Sequence, residues 1–205
     1  MDQSKQRAPR FPLPLRPSWL SALVLALAIA FGVVSAIRLA AYRDPVALWR
    51  DARARQPENA PAELNLAVAL QNSGRLPEAL DHYQQALRLD PDFFEAQTNF
   101  GIALLHAGRP HDAIAPLQAA KRQRPQAERI LNNLGVALFS VGRFEEAIAE
   151  FEEVVRLKPR MWEGHDNLAR ALERAGRTDD ARRHYAEADR LHRAEHTPNP
   201  TIHGR

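Results

Sequence analysis

An asparagine recurs every 34 residues, as Asn65, Asn99, Asn133 and Asn167, and its neighbours keep the same step. Each is followed by Leu66, Phe100, Leu134 or Leu168, then by a small residue (Ala67, Gly101, Gly135, Ala169), then by Leu70, Leu104, Leu138 or Leu172. Gly74, Gly108, Gly142 and Gly176 come next, each followed by arginine, with an alanine five residues after the glycine (Ala79, Ala113, Ala147, Ala181). A bulky side chain stands four beyond that alanine (Tyr83, Leu117, Phe151, Tyr185), and Pro91, Pro125 and Pro159 close the first three units.

From Asn65 to Gln71 the apolar residues fall at i, i+3 and i+4, which is a helical stripe, and the glycine beyond can take the left-handed conformation that ends a helix. Each unit is therefore predicted to be helix, turn, helix. The small residue on the first helix and the alanine on the second are placed where the two helices cross, because only small side chains allow a close crossing. A lone hairpin of this kind cannot bury its stripe, so units at a fixed period must stack on one another into a solenoid.

The run Asn-Leu-small, Gly-Arg, Ala, aromatic, Pro at this period resembles the tetratricopeptide repeat family across residues 45–196. The resemblance implies an all-α, right-handed superhelical solenoid of helix-turn-helix repeats. The expected layout is a half-repeat capping helix over 45–57, repeats over 60–93, 94–127 and 128–161, and a fourth over 162–196 that includes a C-terminal capping helix. Two departures stand out. The tryptophan often found two residues before the asparagine is replaced by Glu63, Gln97, Leu131 and His165, and Pro116 lies inside the second helix of unit two, where a bend is expected.

Ahead of the repeats, residues 1–18 carry four prolines and four basic residues and read as a disordered arm. Trp19 to Ile37 then contains no charge; as a helix it would reach about 28 Å, against a hydrocarbon core of about 30 Å. Ten of its residues are Leu, Val, Ile or Phe, worth on the order of −3 to −6 kcal/mol for insertion. A transmembrane signal anchor over 19–41 is expected, with Trp19 and Tyr42 near the interfaces and Arg38 reaching the headgroups. A cleaved signal peptide ending at Val34-Ser35-Ala36 is the competing reading, disfavoured because the apolar run exceeds an ordinary signal core of about 7–15 residues. A basic arm before a first span tends to stay inside, which places the repeats on the periplasmic side of a bacterial inner membrane. Ala28, Gly32, Ala36 and Ala40 recur every fourth residue and would suit a homodimer through this helix.

Charge is uneven. Residues 1–55 hold nine Lys or Arg against three acids, leaving nineteen against twenty-two in the remainder. The repeat body is mildly acidic, which argues against a nucleic-acid footprint. There is no cysteine, hence no disulfide, thiolate metal site or cysteine nucleophile. His192 and His196 stand one helical turn apart without a third ligand at metal spacing, so no metal or cofactor is expected. Glu145, Glu146, Glu150, Glu152 and Glu153 read as the solvated face of a helix, and residues 197–205 as a frayed tail. Nothing in the chain has the arrangement of an enzyme.

Because the four asparagines share one register, they must form a line along the groove, and an amide offers the donor and acceptor that an extended peptide backbone needs. In the repeats of the O-linked N-acetylglucosamine transferases a similar asparagine ladder is understood to hold the substrate backbone. Three residues beyond each asparagine are Val68, Ile102, Val136 and Arg170, giving a groove that is apolar for three units and basic at its end. Chaperone-clamping members of the family place lysine just before the asparagine; Leu64, Thr98, Asn132 and Asp166 stand there, so a carboxylate clamp is not expected. The expected role is a non-catalytic, membrane-anchored scaffold for assembling envelope complexes, with a partner peptide in the groove. The post-membrane run, Arg43-Asp44-Pro45 to Leu48-Trp49 and then Pro57, also resembles the C-terminal repeat region of multi-span glycosyltransferases, which implies the alternative of a substrate-recruiting relative of such an enzyme.

Overall fold

A computed structural model describes residues 18–41 and 44–196, with side chains described at 19, 22–35 and 44–196. The N-terminal arm, Tyr42 and Arg43, and the tail at 197–205 lie outside the described residues, as do the side chains of Arg38, Ala36 and Ala40. The chain divides into two compact units, Met1–Ala47 and Leu48–Arg205. The described residues form ten α-helices and no strand.

In the first unit, α1 runs Ser18–Ala41. Its apolar side chains are exposed, among them Trp19, Leu23, Val24, Leu25, Leu27, Ile29 and Phe31. Among the described residues no helix is long and apolar enough to cross a membrane. Helix α2, Pro45–Arg55, starts as Asp44-Pro45 predicts, with Asp44 Oδ1 accepting the Val46 N–H at 2.9 Å.

The second unit is a row of hairpins: α3 (Ala60–Asn72) with α4 (Leu76–Leu89), α5 (Phe94–His106) with α6 (Pro110–Gln123), α7 (Glu128–Ser140) with α8 (Phe144–Leu157), and α9 (Trp162–Arg174) with α10 (Thr178–His196). All four turns are built alike. Gly74, Gly108, Gly142 and Gly176 have φ between 70° and 83°. In the third turn the Arg143 N–H bonds the Leu138 carbonyl at 2.9 Å and the Gly142 N–H bonds Phe139 at 3.0 Å, the paired closure of a Schellman cap, and the same two bonds recur in the other turns. The arginine after each glycine then reaches the acid three residues on: Arg75 to Glu78, Arg109 to Asp112, Arg143 to Glu146, Arg177 to Asp180. Each acid sits at the start of a second helix, where the helix dipole favours negative charge. The Arg143 hydrogen bond holds the Glu146 carboxyl below its usual range, and Arg75 does the same for Glu78.

Helix α6 runs unbroken across Pro116 and keeps the fourteen-residue length of α4 and α8. Where the first helix meets the second, the space left by a missing Cβ is taken by the bulky residue rather than left to the alanine. A Cβ on Gly135 would lie 2.5 Å from the Phe151 ring, and one on Gly101 would lie 2.5 Å from Leu117 Cγ. Around these contacts one core runs through the last three units, including Leu104, Leu117, Leu134, Leu138, Phe151, Leu168 and Leu172.

The register usually filled by tryptophan is buried in every unit and polar in three. Glu63 is 1% exposed and paired to Arg53 at 2.8 Å and to His82 at 2.6 Å. Gln97 donates to the Pro91 carbonyl and accepts from Gln123. Leu131 is apolar and fully buried. His165 faces His184, Nδ1 to Nδ1, at 3.0 Å, with its Nε2 3.2 Å from the Pro159 carbonyl. Glu150 corrects the reading of a wholly solvated acidic face: its side chain is 12% exposed and accepts two bonds from Lys121 of the preceding unit, at 2.6 and 2.8 Å. Sequence reading places it wrongly because its partner is 29 residues away on another hairpin.

Candidate functional site

The backbones of successive first helices approach one another, α3 to α5, α5 to α7 and α7 to α9, whereas among the described residues no such approach joins the second helices. The row therefore closes on its first-helix side, and that side is the candidate binding face. All four ladder asparagines are half-buried there, but they are not equivalent. Asn133 Nδ2 donates to the Arg129 carbonyl of its own helix at 2.7 Å. Asn167 Nδ2 donates to Asn132 Oδ1 of the preceding unit at 2.9 Å. No side-chain hydrogen bond joins Asn65 or Asn99 to another described residue.

The line three residues on is also uneven. Val68 and Val136 are half-buried, and the Arg170 side chain is 60% exposed. Ile102 is buried, at 9% exposure, so it lies beneath the face and does not line it. Of the registers just before the asparagines, Leu64 and Thr98 are buried, with Thr98 Oγ1 donating to the Phe94 carbonyl, whereas Asn132 and Asp166 are half-buried.

The structure brings three of the predicted residues together. Val136, Asn167 and Arg170 line a cavity of about 220 Å³ with Phe139, Ser140 and Phe151. Phe151 forms its floor, because the ring that fills the notch at Gly135 is itself 1% exposed. Phe139 and Ser140 escape the sequence reading, although they stand in the last turn of α7 on the face that Val136 shares. At the other end of the row Tyr83, pushed up to about 12 by burial, stays protonated and donates to Gln71 Oε1 at 2.8 Å. Among the described residues no cluster of three His, Asp or Glu could hold a metal. His196 Nδ1 lies 2.9 Å from the His192 carbonyl, and the His192 ring packs on Trp162.

The tetratricopeptide repeat model matches residues 34–93, 64–128 and 132–196, and the chain belongs to that family. A search of curated proteins gives no match. Among solved structures the chain is similar to MamA. The MamA of Desulfovibrio magneticus RS-1, from its residue 41 onward, is 22% identical over 74% of this chain and 86% of that one, with a TM-score of 0.70. The AMB-1 MamA is 24% identical over 78% and 95%, with a TM-score of 0.71. These likenesses are of fold. A repeat array of this class is a scaffold for protein–protein interaction, typically without catalysis of its own.

Proposed function

We propose that this chain is a membrane-anchored scaffold that holds an extended segment of a partner protein along the first-helix face of a right-handed superhelix. The observation that carries the reading is the pair Asn65 and Asn99. Both sit half-buried in one register of that face, and neither amide is engaged by another described side chain or backbone group. Each can give a peptide backbone one donor and one acceptor. Asn133 and Asn167 are partly committed, so the first two units are the stronger half of the ladder.

Anchoring by α1 is supported by the uncharged run from Trp19 to Ile37 within it and by its exposed apolar surface, Phe31 at 77% and Leu25 and Leu27 at 62% among them. Water penalises such a surface; lipid does not. In this reading the repeats face the bacterial periplasm and serve the assembly of envelope complexes.

Affinity capture from gently solubilised membranes tests the groove. Wild type should retain specific proteins that an Asn65→Ala, Asn99→Ala variant of normal helicity loses, and an Asn133→Ala, Asn167→Ala variant should lose less. Unchanged capture by the first variant would make the ladder structural. For the anchor, alkaline carbonate washing should leave the full chain in the membrane pellet and release a chain lacking residues 1–43. Release of both would end the anchored reading. Protease added to spheroplasts should degrade the repeats if they face outward.

A further inference from the structure

The cavity between the third and fourth units has a chemistry narrower than the groove as a whole. Phe151, Phe139 and Val136 give it an apolar side, and its size of about 220 Å³ admits one aliphatic or aromatic side chain. Ser140, Asn167 and Arg170 supply the polar part of its lining, and Asn132 adjoins it through Asn167. The amide pair Asn132 and Asn167 is joined by one bond, from Asn167 Nδ2 to Asn132 Oδ1, which leaves the Asn132 amino group as donor and the Asn167 oxygen as acceptor. Beside them is Arg170. Its described acidic partner, Asp166, lies 3.8 Å away, beyond hydrogen-bond distance, and its side chain is 60% exposed. The guanidinium fork is thus open to a carboxylate.

We infer that this cavity is an anchor subsite for an extended peptide in which an apolar side chain is followed, two residues on, by an acidic one. The apolar side chain fills the cavity, the backbone beside it pairs with the Asn132–Asn167 amides, and the acid meets Arg170. Alternate side chains of an extended chain share a face, about 6.6 Å apart, which sets the two-residue spacing. The inference rests on the groove reading and specifies its occupant; the acidic requirement comes from charge complementarity with Arg170.

The test uses the full-length chain in mild detergent and a short fluorescent peptide bearing one leucine and, two residues later, one glutamate in a glycine-serine background. Fluorescence anisotropy should show this peptide binding about tenfold tighter than its glutamate-to-lysine counterpart, since a charge-assisted hydrogen bond is at stake. A leucine-to-glycine peptide should also bind more weakly. In Arg170→Glu the order of the acidic and basic peptides should invert, and in Arg170→Gln the preference should vanish, with helicity unchanged in both. Equal binding of acidic and basic peptides to wild type, or an order unmoved by Arg170→Glu, overturns the subsite. If that happens while capture still depends on Asn65 and Asn99, the groove reading survives alone; if neither holds, both fall.

Discussion

Gly135 is a residue whose side chain is excluded by a neighbour. An alanine there would set a Cβ 2.5 Å from the rigid Phe151 ring, which could yield only by shifting into the cavity it floors. The helix-propensity gain of about 1 kcal/mol is outweighed by overpacking of about 1–3 kcal/mol, so Gly135→Ala should lower the urea midpoint. A raised midpoint would mean the hairpin opens without cost. His184 offers a second case. His165 donates from Nε2 to the Pro159 carbonyl, so its Nδ1 must accept from His184. The His184 ring is held below its ordinary value by burial first and then by His165; Arg177 adds to this, while Asp180 and Glu152 oppose it, and Glu187 on the same helix lies within range of both rings. A base depressed in the folded state binds fewer protons there than when unfolded. Its contribution is complete above about pH 6.5 and is lost as pH falls below it. Unfolding of the last hairpin should thus become easier as pH falls below about 6.5, and His165→Leu, which copies Leu131 of the previous unit, should flatten that dependence. A pH profile identical in wild type and variant would assign the effect to other groups.

At the scale of helices and turns, most of the organisation is legible in the sequence. The glycines that end α3, α5, α7 and α9 are visible because only a residue without Cβ adopts their φ cheaply. Gly142→Ala meets nothing within 4 Å, so its cost is backbone strain alone, about 1–2 kcal/mol, and should appear as a lower thermal midpoint with no change in helicity when folded. An Asn at the same position should cost less, since asparagine tolerates that region better. The arginine that follows each glycine is also visible, and its bond to the acid three residues on could have been read from the recurring Gly-Arg-x-x-acid spacing. The ladder was legible only as a register. Periodicity says that four asparagines lie on one face; it does not say that Asn167 turns to Asn132 or Asn133 to its own helix, because those choices depend on how neighbouring units stack. The same limit hides the polar core: a period identifies Glu63, Gln97 and His165 as interior positions without naming what satisfies them.

Across the whole row, the ion pairs that matter join units rather than decorate them. Lys121 holds the nearly buried Glu150 of the next unit. Lys121→Ala would leave that carboxylate without its cation and should destabilise by about 1–2 kcal/mol, while adding Glu150→Ala should recover part of the loss, a coupling that a double-mutant cycle measures directly. Strict additivity would show the pair to be idle. Arg53 holds Glu63 in the same way at the first joint. Arg53, Leu87, Lys121 and Val155 occupy one register of the repeat. Leu87 is half-buried, and Val155 packs toward Gly164 of the last unit. In this register the residues therefore alternate, cationic then apolar, along the row. A hairpin that docked one unit out of step, within one chain or between two copies, would strand Glu63 or Glu150 without a cation, whereas a shift of two units would restore the match. The solenoid carries an even-odd parity, and whatever mispaired forms it makes during folding should be offset by two repeats and not by one.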